Sequence, residues 1–360
     1  MLRMAEPIIH HRHPEFTELF ARVNNNLKYL FQTSGEVLTL TSSGTGAMEA
    51  AVCNLHRAGD TAIFVNGGKF GERWGEILKA YGIHGVEIKV EWGESVSAVQ
   101  IIDSLKKNPS ASAVYLTQSE TSTGAATDVK TIAKEVHQHS DAVVIVDGIT
   151  AVGAMELMMD AWEIDGVVTG SQKGLMIPPG LAFLALSEKA WSMAEKSSLP
   201  KYYFDLKRAR KTVKDNDTPW TPAVSLLIGV DHALEMIRAE GVENVWKRHE
   251  RLARSIRLAA QALGLKVLAK CPSNALTAVS IPGSLDAKLF SKTLKTTYGI
   301  TVAGGQGHLK GKIIRISHLG YYDEFDMTAM ISALELTLKD CGYKFELGTG
   351  LRAALTAFSA

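Results

Sequence analysis

Cysteine is scarce in this chain. Cys53, Cys271 and Cys341 are the only three in 360 residues. An odd, sparse set at these spacings matches no zinc or haem motif and no disulfide framework. Such usage suits a reducing compartment, and a cytoplasmic location is the expectation. Long apolar runs are also missing. None approaches the roughly 20 residues that span a bilayer, and residues 1–7 lack the apolar centre of a secretory signal. Nor does one sign of charge prevail: 39 Lys and Arg stand against 38 Asp and Glu, for a net charge of +1. The charges are mixed along the chain, which removes the electrostatic case for nucleic acid or an anionic membrane as partner. His10, His11 and His13, and His137 with His139, have no Cys or carboxylate neighbours at a recognised ligand spacing, so no metal site is expected. There is no internal repeat and no low-complexity segment.

What is present is an ordinary globular composition, 46% apolar and 21% charged, in a chain long enough for two domains. Between residues 36 and 186, short β-rich runs alternate with helical stretches. Strands are expected at Glu36–Ser42, Thr61–Asn66, Val86–Glu91, Ala113–Thr117, Ala142–Asp147, Gly166–Gly170 and Leu181–Leu186. Most are continuous apolar runs, the mark of strands buried on both faces. Helices are expected at Gly44–Arg57, Lys69–Tyr81, Val96–Lys107 and Val129–His139. The alternation predicts an α/β fold, a mostly parallel sheet with crossover helices. Residues 201–222 read as a polar surface excursion, and 223–263 as helical. A small α+β domain follows, with strands at 274–282 and 312–317, helices at 286–298 and 323–341, and a loose tail after Gly342. The expected division is a large domain over 15–240 and a small one over 241–345, with residues 1–14 packing on the small domain or on a partner subunit.

The segment 167–175 carries the most chemistry. A buried strand ends in small residues and presents one lysine, Lys173, before Pro178, Pro179 and Gly180 force a tight loop. A surface lysine is the ordinary alternative. A lysine that forms a Schiff base needs partial desolvation and a rigid mount, and this context offers both. The companions of a pyridoxal-phosphate site have candidates elsewhere. Thr45 and Gly46, in the glycine-rich strand-to-helix turn 41–47, suit a phosphate at a helix N-terminus. Glu49 stands where a dinucleotide turn needs its third glycine, which disfavours that reading. Asp147 ends an apolar strand and would face the ligand crevice of an α/β sheet, where it could keep a pyridine nitrogen protonated; metal ligand and helix cap are the alternatives. Phe70, on a glycine-flanked turn, could stack on a planar ring or simply fill the core. The hydroxyls of 119–123 could bond a phenolate or phosphate oxygen. Arg315, alone inside an apolar strand, needs an anion: a substrate carboxylate or a buried structural partner.

Five segments in order (43–50, 119–124, 146–154, 170–175 and 312–320) resemble the class V aminotransferases of pyridoxal-phosphate fold type I. The nearest branch is the alanine/serine–glyoxylate (serine–pyruvate) aminotransferases, with related proteins labelled soluble hydrogenase subunits. The resemblance covers nearly the whole chain. It implies a large domain with a mostly parallel mixed sheet, a smaller α+β C-terminal domain, and transfer of an amino group from alanine or serine to a 2-oxo acid such as glyoxylate or pyruvate. It implies that Lys173 is the Schiff-base lysine and proton shuttle and that Asp147 pairs with the pyridine nitrogen. Gln172 and Ser122 would bond the cofactor near its phenolate oxygen, Thr45 and Gly46 would hold the phosphate, and Phe70 would stack on the ring. Thr218 and Thr221 would reach the partner subunit's phosphate, so a homodimer with shared sites is implied. Arg315 would bind the substrate carboxylate. The family's glycine- and proline-rich start is absent before Pro7. Phe70 and Ala47 stand where some members have tryptophan and histidine.

Alternative readings are an aspartate- or phosphoserine-type transaminase or a lyase of the same fold, and a non-catalytic accessory subunit of a redox complex. A desulfurase would need a mobile loop cysteine, and neither Cys271 nor Cys341 sits in a glycine-rich lid.

Overall fold

The structure is a computed structural model describing residues 2–359. Apolar runs without alternation become strands buried on both faces, and amphipathic stretches become the helices covering them. In chain order the first half holds α1 (Pro14–Phe31), β1 (Val37–Leu40), α2 (Gly44–Leu55), β2 (Thr61–Asn66), α3 (Lys69–Ala80), β3 (His84–Lys89), α4 (Ala98–Lys107), β4 (Ala111–Thr117), the short hairpin β5 (Ser119–Glu120) and β6 (Ala125–Ala126), α5 (Val129–His139) and β7 (Val143–Asp147). Next come β8 (Gly166–Gly170), β9 (Ala182–Leu186), α6 (Glu188–Ala194), α7 (Leu206–Val213), α8 (Val224–Glu240) and α9 (Val242–Ala262). The chain ends with β10 (Leu276–Ser280), α10 (Ala287–Thr296), β11 (Ala303–Gly304), β12 (Ile313–Ser317), α11 (Glu324–Asp340) and α12 (Thr349–Phe358).

Seven strands form the main sheet in the order β1-β9-β8-β7-β4-β2-β3. Only β9 runs against the others, pairing antiparallel with both β1 and β8. This is the mostly parallel, helix-flanked sheet of fold type I. The carboxyl ends of β1, β2, β4, β7 and β8 therefore share one edge, where an open α/β sheet places its ligand crevice. A three-stranded antiparallel sheet, β10-β12-β11, builds the C-terminal part.

One apolar core gathers residues from Phe16 to Val245 and a second gathers residues from Leu252 to Ala354. Helix α9 belongs to both, with Val245 in the first and Leu252 in the second. Gly241, at φ +86°, separates α9 from α8 inside the stretch read as one helical region.

Several local readings change. Residues 14–31 form α1, started by Pro14 and the His13 side chain, which accepts from the Glu15 amide. The excursion at 201–222 contains α7, whose Leu206 is fully buried. The tail is not loose. Helix α12 packs on α9, and the buried Glu335 carboxylate of α11 accepts from the amides of Gly348, Gly350 and Leu351 at the α12 N-terminus. The C-terminal unit thus extends past residue 345 to α12. The N-terminal 3-10 turn Leu2–Ala5 lies on α8, with Met4 against Gly229, so it covers the large domain rather than the small one. No described helix is long and apolar enough to cross a membrane.

Candidate active site

Asp147 is the last residue of β7, and its register partner on β8 is Val168. Five residues beyond Val168 the chain presents Lys173. The turn that carries it is closed by Met176 N–H to the Lys173 carbonyl at 3.0 Å and by Ser171 Oγ to the Pro178 carbonyl at 2.7 Å. Met176 adopts φ +60°, a left-handed conformation that costs a non-glycine residue energy. Gly174 is dictated by close packing, since a Cβ there would stand 2.3 Å from the Val152 carbonyl oxygen. The lysine is thus half-buried on a rigid mount, and its amine has no hydrogen-bond partner among the described residues. Burial pushes its pKa down, the Arg315 charge adds to the fall, and Asp147 opposes it.

Asp147 is buried, with Oδ1 accepting from the Ile149 amide at 2.8 Å. Burial raises its pKa to about 7; Glu120 adds to the rise, while Arg73 and Lys173 hold it back. A buried carboxylate in this position has too little positive charge beside it. A protonated ring nitrogen would supply what is missing.

The N-terminus of α2 reaches the same edge. Its N-cap, Ser43, makes no side-chain bond to the first-turn amides, so the partial positive charge there is not capped. A Cβ on Gly44 would lie 2.5 Å from Ile149 Cδ1, and one on Gly46 would lie 2.7 Å from Ser42 Oγ. These contacts hold the turn against the segment that follows Asp147. Gln172 lies beside it: its buried Oε1 has no partner, and a Cβ on Gly170 would lie 2.9 Å from that oxygen and 3.5 Å from the Gly44 amide nitrogen. An orphaned amide oxygen, an uncapped helix start, an unpaired acid and an unpaired amine together fit pyridoxal phosphate.

Phe70 stands in the first turn of α3 rather than on a free turn. The Arg73 guanidinium lies over its ring, 4.9 Å from the centroid. Glu120 fixes the position. Its buried carboxylate accepts from the Phe70 and Gly71 amides at 3.1 and 2.9 Å, capping α3 from outside the helix. Ser122 is also engaged there. Its hydroxyl donates to Glu120 and accepts from the Lys69 amide, so its one proton is committed to the loop and not free for a phenolate oxygen.

Arg315 sits mid-strand on β12. Its Nε donates to the Gly304 carbonyl and its Nη1 to the Thr121 carbonyl, both at 2.9 Å. Neither partner is charged, and among the described residues Arg315 makes no ion pair. Of the two sequence readings, the buried structural salt bridge is therefore absent, and the guanidinium keeps its charge for an anion. The connection after β12 leans on the lysine turn, with Gly320 against the Lys173 carbonyl. Gly320 is held by its amide donating to His249 Nε2 at 2.8 Å and by Arg248 donating to its carbonyl at 3.0 Å. Burial drives the His249 pKa to about 4, which leaves that ring nitrogen an acceptor.

Thr218 and Thr221 stand apart from this set. Thr218 donates to the Trp220 carbonyl at 2.8 Å, and Thr221 is exposed on the same aromatic-flanked loop. His137 pairs with Asp165 and the Glu163 carbonyl, tying α5 to the approach of β8. Reasoning from sequence missed Glu120, Arg73 and His249. A carboxylate in front of Thr121-Ser122-Thr123-Gly124, and an arginine three residues after Phe70 on one helix face, were the available signals.

The model of the family described as Aminotransferase class-V matches residues 4–330. The chain belongs to the class-V aminotransferases. It is 43% identical to the soluble hydrogenase small subunit of Synechococcus sp. (strain PCC 6716), across 100% of this chain and 94% of that one. It is 35% identical to the L-aspartate–glyoxylate aminotransferase of Paracoccus denitrificans (strain Pd 1222), across 97% and 90%. Among solved structures, the ureidoglycine–glyoxylate aminotransferase of Bacillus subtilis superposes with a TM-score of 0.94 at 27% identity, covering 100% of this chain and 94% of that one. As a class-V aminotransferase the chain is a pyridoxal-phosphate-dependent transaminase, acting on amino acids and 2-oxo acids.

Proposed function

We propose that this transaminase moves the amino group of a small, uncharged amino acid, alanine or serine, to glyoxylate, and that Lys173 performs the proton transfers. The carrying observation is the pairing of a desolvated lysine with a buried acid whose bonded partner is an amide and not a cation, at neighbouring strand ends. Bound pyridoxal phosphate supplies an electron sink for the bond breaking at the substrate α-carbon. Lys173 would hold it through its side-chain amine. Its amine, whose pKa burial and the Arg315 field lower, would take the proton from the substrate Cα. Asp147 holds a proton on the ring nitrogen. Thr45 and Gly46 would receive the phosphate end, Gln172 would lie near the phenolate oxygen, and Phe70 would stack on the ring. Arg315 orients the donor by its α-carboxylate and then the acceptor by its own.

Two features support the substrates. Glyoxylate is the acceptor named for both aminotransferases above, whose donors differ. The cations whose fields reach Lys173 or Asp147 are Arg315 and Arg73. Arg315 serves the α-carboxylate and Arg73 lies at Thr45, on the turn that receives the phosphate, so a second substrate carboxylate gains no partner here. Thr218 and Thr221 are assigned to the phosphate of a second subunit, which makes the working unit a homodimer. Three free cysteines accord with the cytoplasm.

The test is the near-visible spectrum of the purified protein, before and after alanine or serine, with turnover followed on glyoxylate. A band that shifts with donor and is changed by Lys173→Ala supports the assignment. A spectrum indifferent to Lys173→Ala overturns it. Turnover on aspartate but not on alanine or serine overturns the donor class alone.

A further inference from the structure

Arg73 lies outside every role given so far. It sits on the second turn of α3, half-buried, and makes no ion pair among the described residues. Its Nη1 donates to Thr45 Oγ1 at 3.2 Å, and its guanidinium rests on the Phe70 ring. An arginine removed from water without an acid beside it is costly unless an anion arrives. Stacking on Phe70 fixes the guanidinium plane without using any of its five N–H donors, and Thr45 takes one. Because the Thr45 hydroxyl accepts from Arg73, its own proton is left to point elsewhere.

Charge balance points the same way. A phosphate monoester carries about −1.5 to −2 at neutral pH. The α2 N-terminus offers the equivalent of roughly half a positive charge. Lys173 and Arg315 are taken by the reactive end of the cofactor and by the substrate carboxylate, so neither neutralises the phosphate end.

We infer that Arg73 is the cationic arm of the phosphate site, donating to the cofactor phosphate while orienting the Thr45 hydroxyl toward it. The inference rests on the reading of α2 as the phosphate cradle. The position also couples the two ends of the cofactor. The Arg73 charge holds down the Asp147 pKa more than that of Lys173 does, so the phosphate anchor also favours the ionised acid under the ring nitrogen.

The experiment titrates apo-protein with pyridoxal phosphate and, separately, with pyridoxal, which has the same ring and aldehyde but no phosphate. Wild type, Arg73→Gln and Arg73→Lys are compared by absorbance of the bound form and by quenching of tryptophan fluorescence. Loss of a charge-assisted hydrogen bond predicts about a 10- to 100-fold weaker Kd for pyridoxal phosphate in Arg73→Gln. Pyridoxal binding should fall far less, through Phe70 and Asp147 alone, and Arg73→Lys should recover part of the loss. Inorganic phosphate should protect wild-type apo-protein against heat, and protect Arg73→Gln far less. Equal losses for both aldehydes would mean that Arg73 only props Phe70 and Thr45, and would overturn the inference. Unchanged pyridoxal phosphate affinity would overturn it too. If Arg73→Gln is misfolded by circular dichroism, the comparison rests on Arg73→Lys and phosphate protection. Equal protection of wild type and Arg73→Lys, with equal Kd for both aldehydes, then overturns it. Failure of the functional reading looks different, since wild type would give no Lys173-dependent band with either aldehyde.

Discussion

Replacing Asp147 by asparagine should stabilise the cofactor-free protein while crippling the enzyme. The carboxyl is buried, and its pKa rises from 3.8 to about 7, chiefly through desolvation. At about 1.36 kcal/mol for each pH unit, a rise of about 3 corresponds to ~4 kcal/mol. The sign follows from proton binding in the two states. Below about pH 4 both folded and unfolded chains hold the proton, and the acid costs nothing. Between about pH 4 and 7 the unfolded chain ionises first, so stability falls as pH rises. Above about pH 7 the full ~4 kcal/mol opposes folding. Asparagine keeps an oxygen to accept from Ile149 and cannot ionise. Apo Asp147→Asn should therefore melt roughly 5 °C above apo wild type at pH 8, with the gap closing toward pH 4. Loading with pyridoxal phosphate should shrink the gap at pH 8, because the ring nitrogen gives the wild-type carboxylate its cation. Turnover should meanwhile fall by about 10²- to 10³-fold, the scale of losing one preorganised charge partner. The assay is calorimetry of both proteins, apo and loaded, from pH 4 to 8. Identical melting temperatures across that range would refute the claim that Asp147 is an uncompensated buried acid.

Two further outcomes are expected. Arg315→Gln should raise KM for amino acids by about 10- to 100-fold, and the acidic limb of kcat, set by ionisation of Lys173, should move to higher pH because a charge that lowers the lysine pKa is gone; steady-state kinetics over pH checks both, and an unmoved limb would separate Arg315 from Lys173. Glu335→Gln should cost about 1–3 kcal/mol by weakening the cap that accepts three α12 amides, read as a lower denaturation midpoint with kcat unchanged.

The sheet was legible in the chain because burial on both faces leaves a local trace. Runs such as Val143–Asp147 and Gly166–Gly170 are apolar throughout, and all seven main strands stand within a few residues of their expected places. Lys173 and Asp147 were legible for the same reason, as single charged residues where apolar strands give out. Helix α12 was not, since Gly350, Ala354 and Ala357 become a buried face only against α9. The start of the chain likewise shows no preference for α8 until Met4 meets Gly229.

At the site, the sequence alone determined which reactive groups stand at strand ends, because chain direction in a parallel sheet sends those ends to one edge. Only the tertiary structure decided what each group is free to do. Ser122 reads as a spare hydroxyl, yet its proton belongs to Glu120; Arg315 reads equally as half of a salt bridge, yet only carbonyl oxygens meet it. The spacing of Arg73 from Phe70 puts the two on one helix face, but only the packing of α3 against α2 brings Arg73 to Thr45. Hydrogen-bond partners and buried charges are settled by residues distant in the chain, and no local pattern of side chains encodes them.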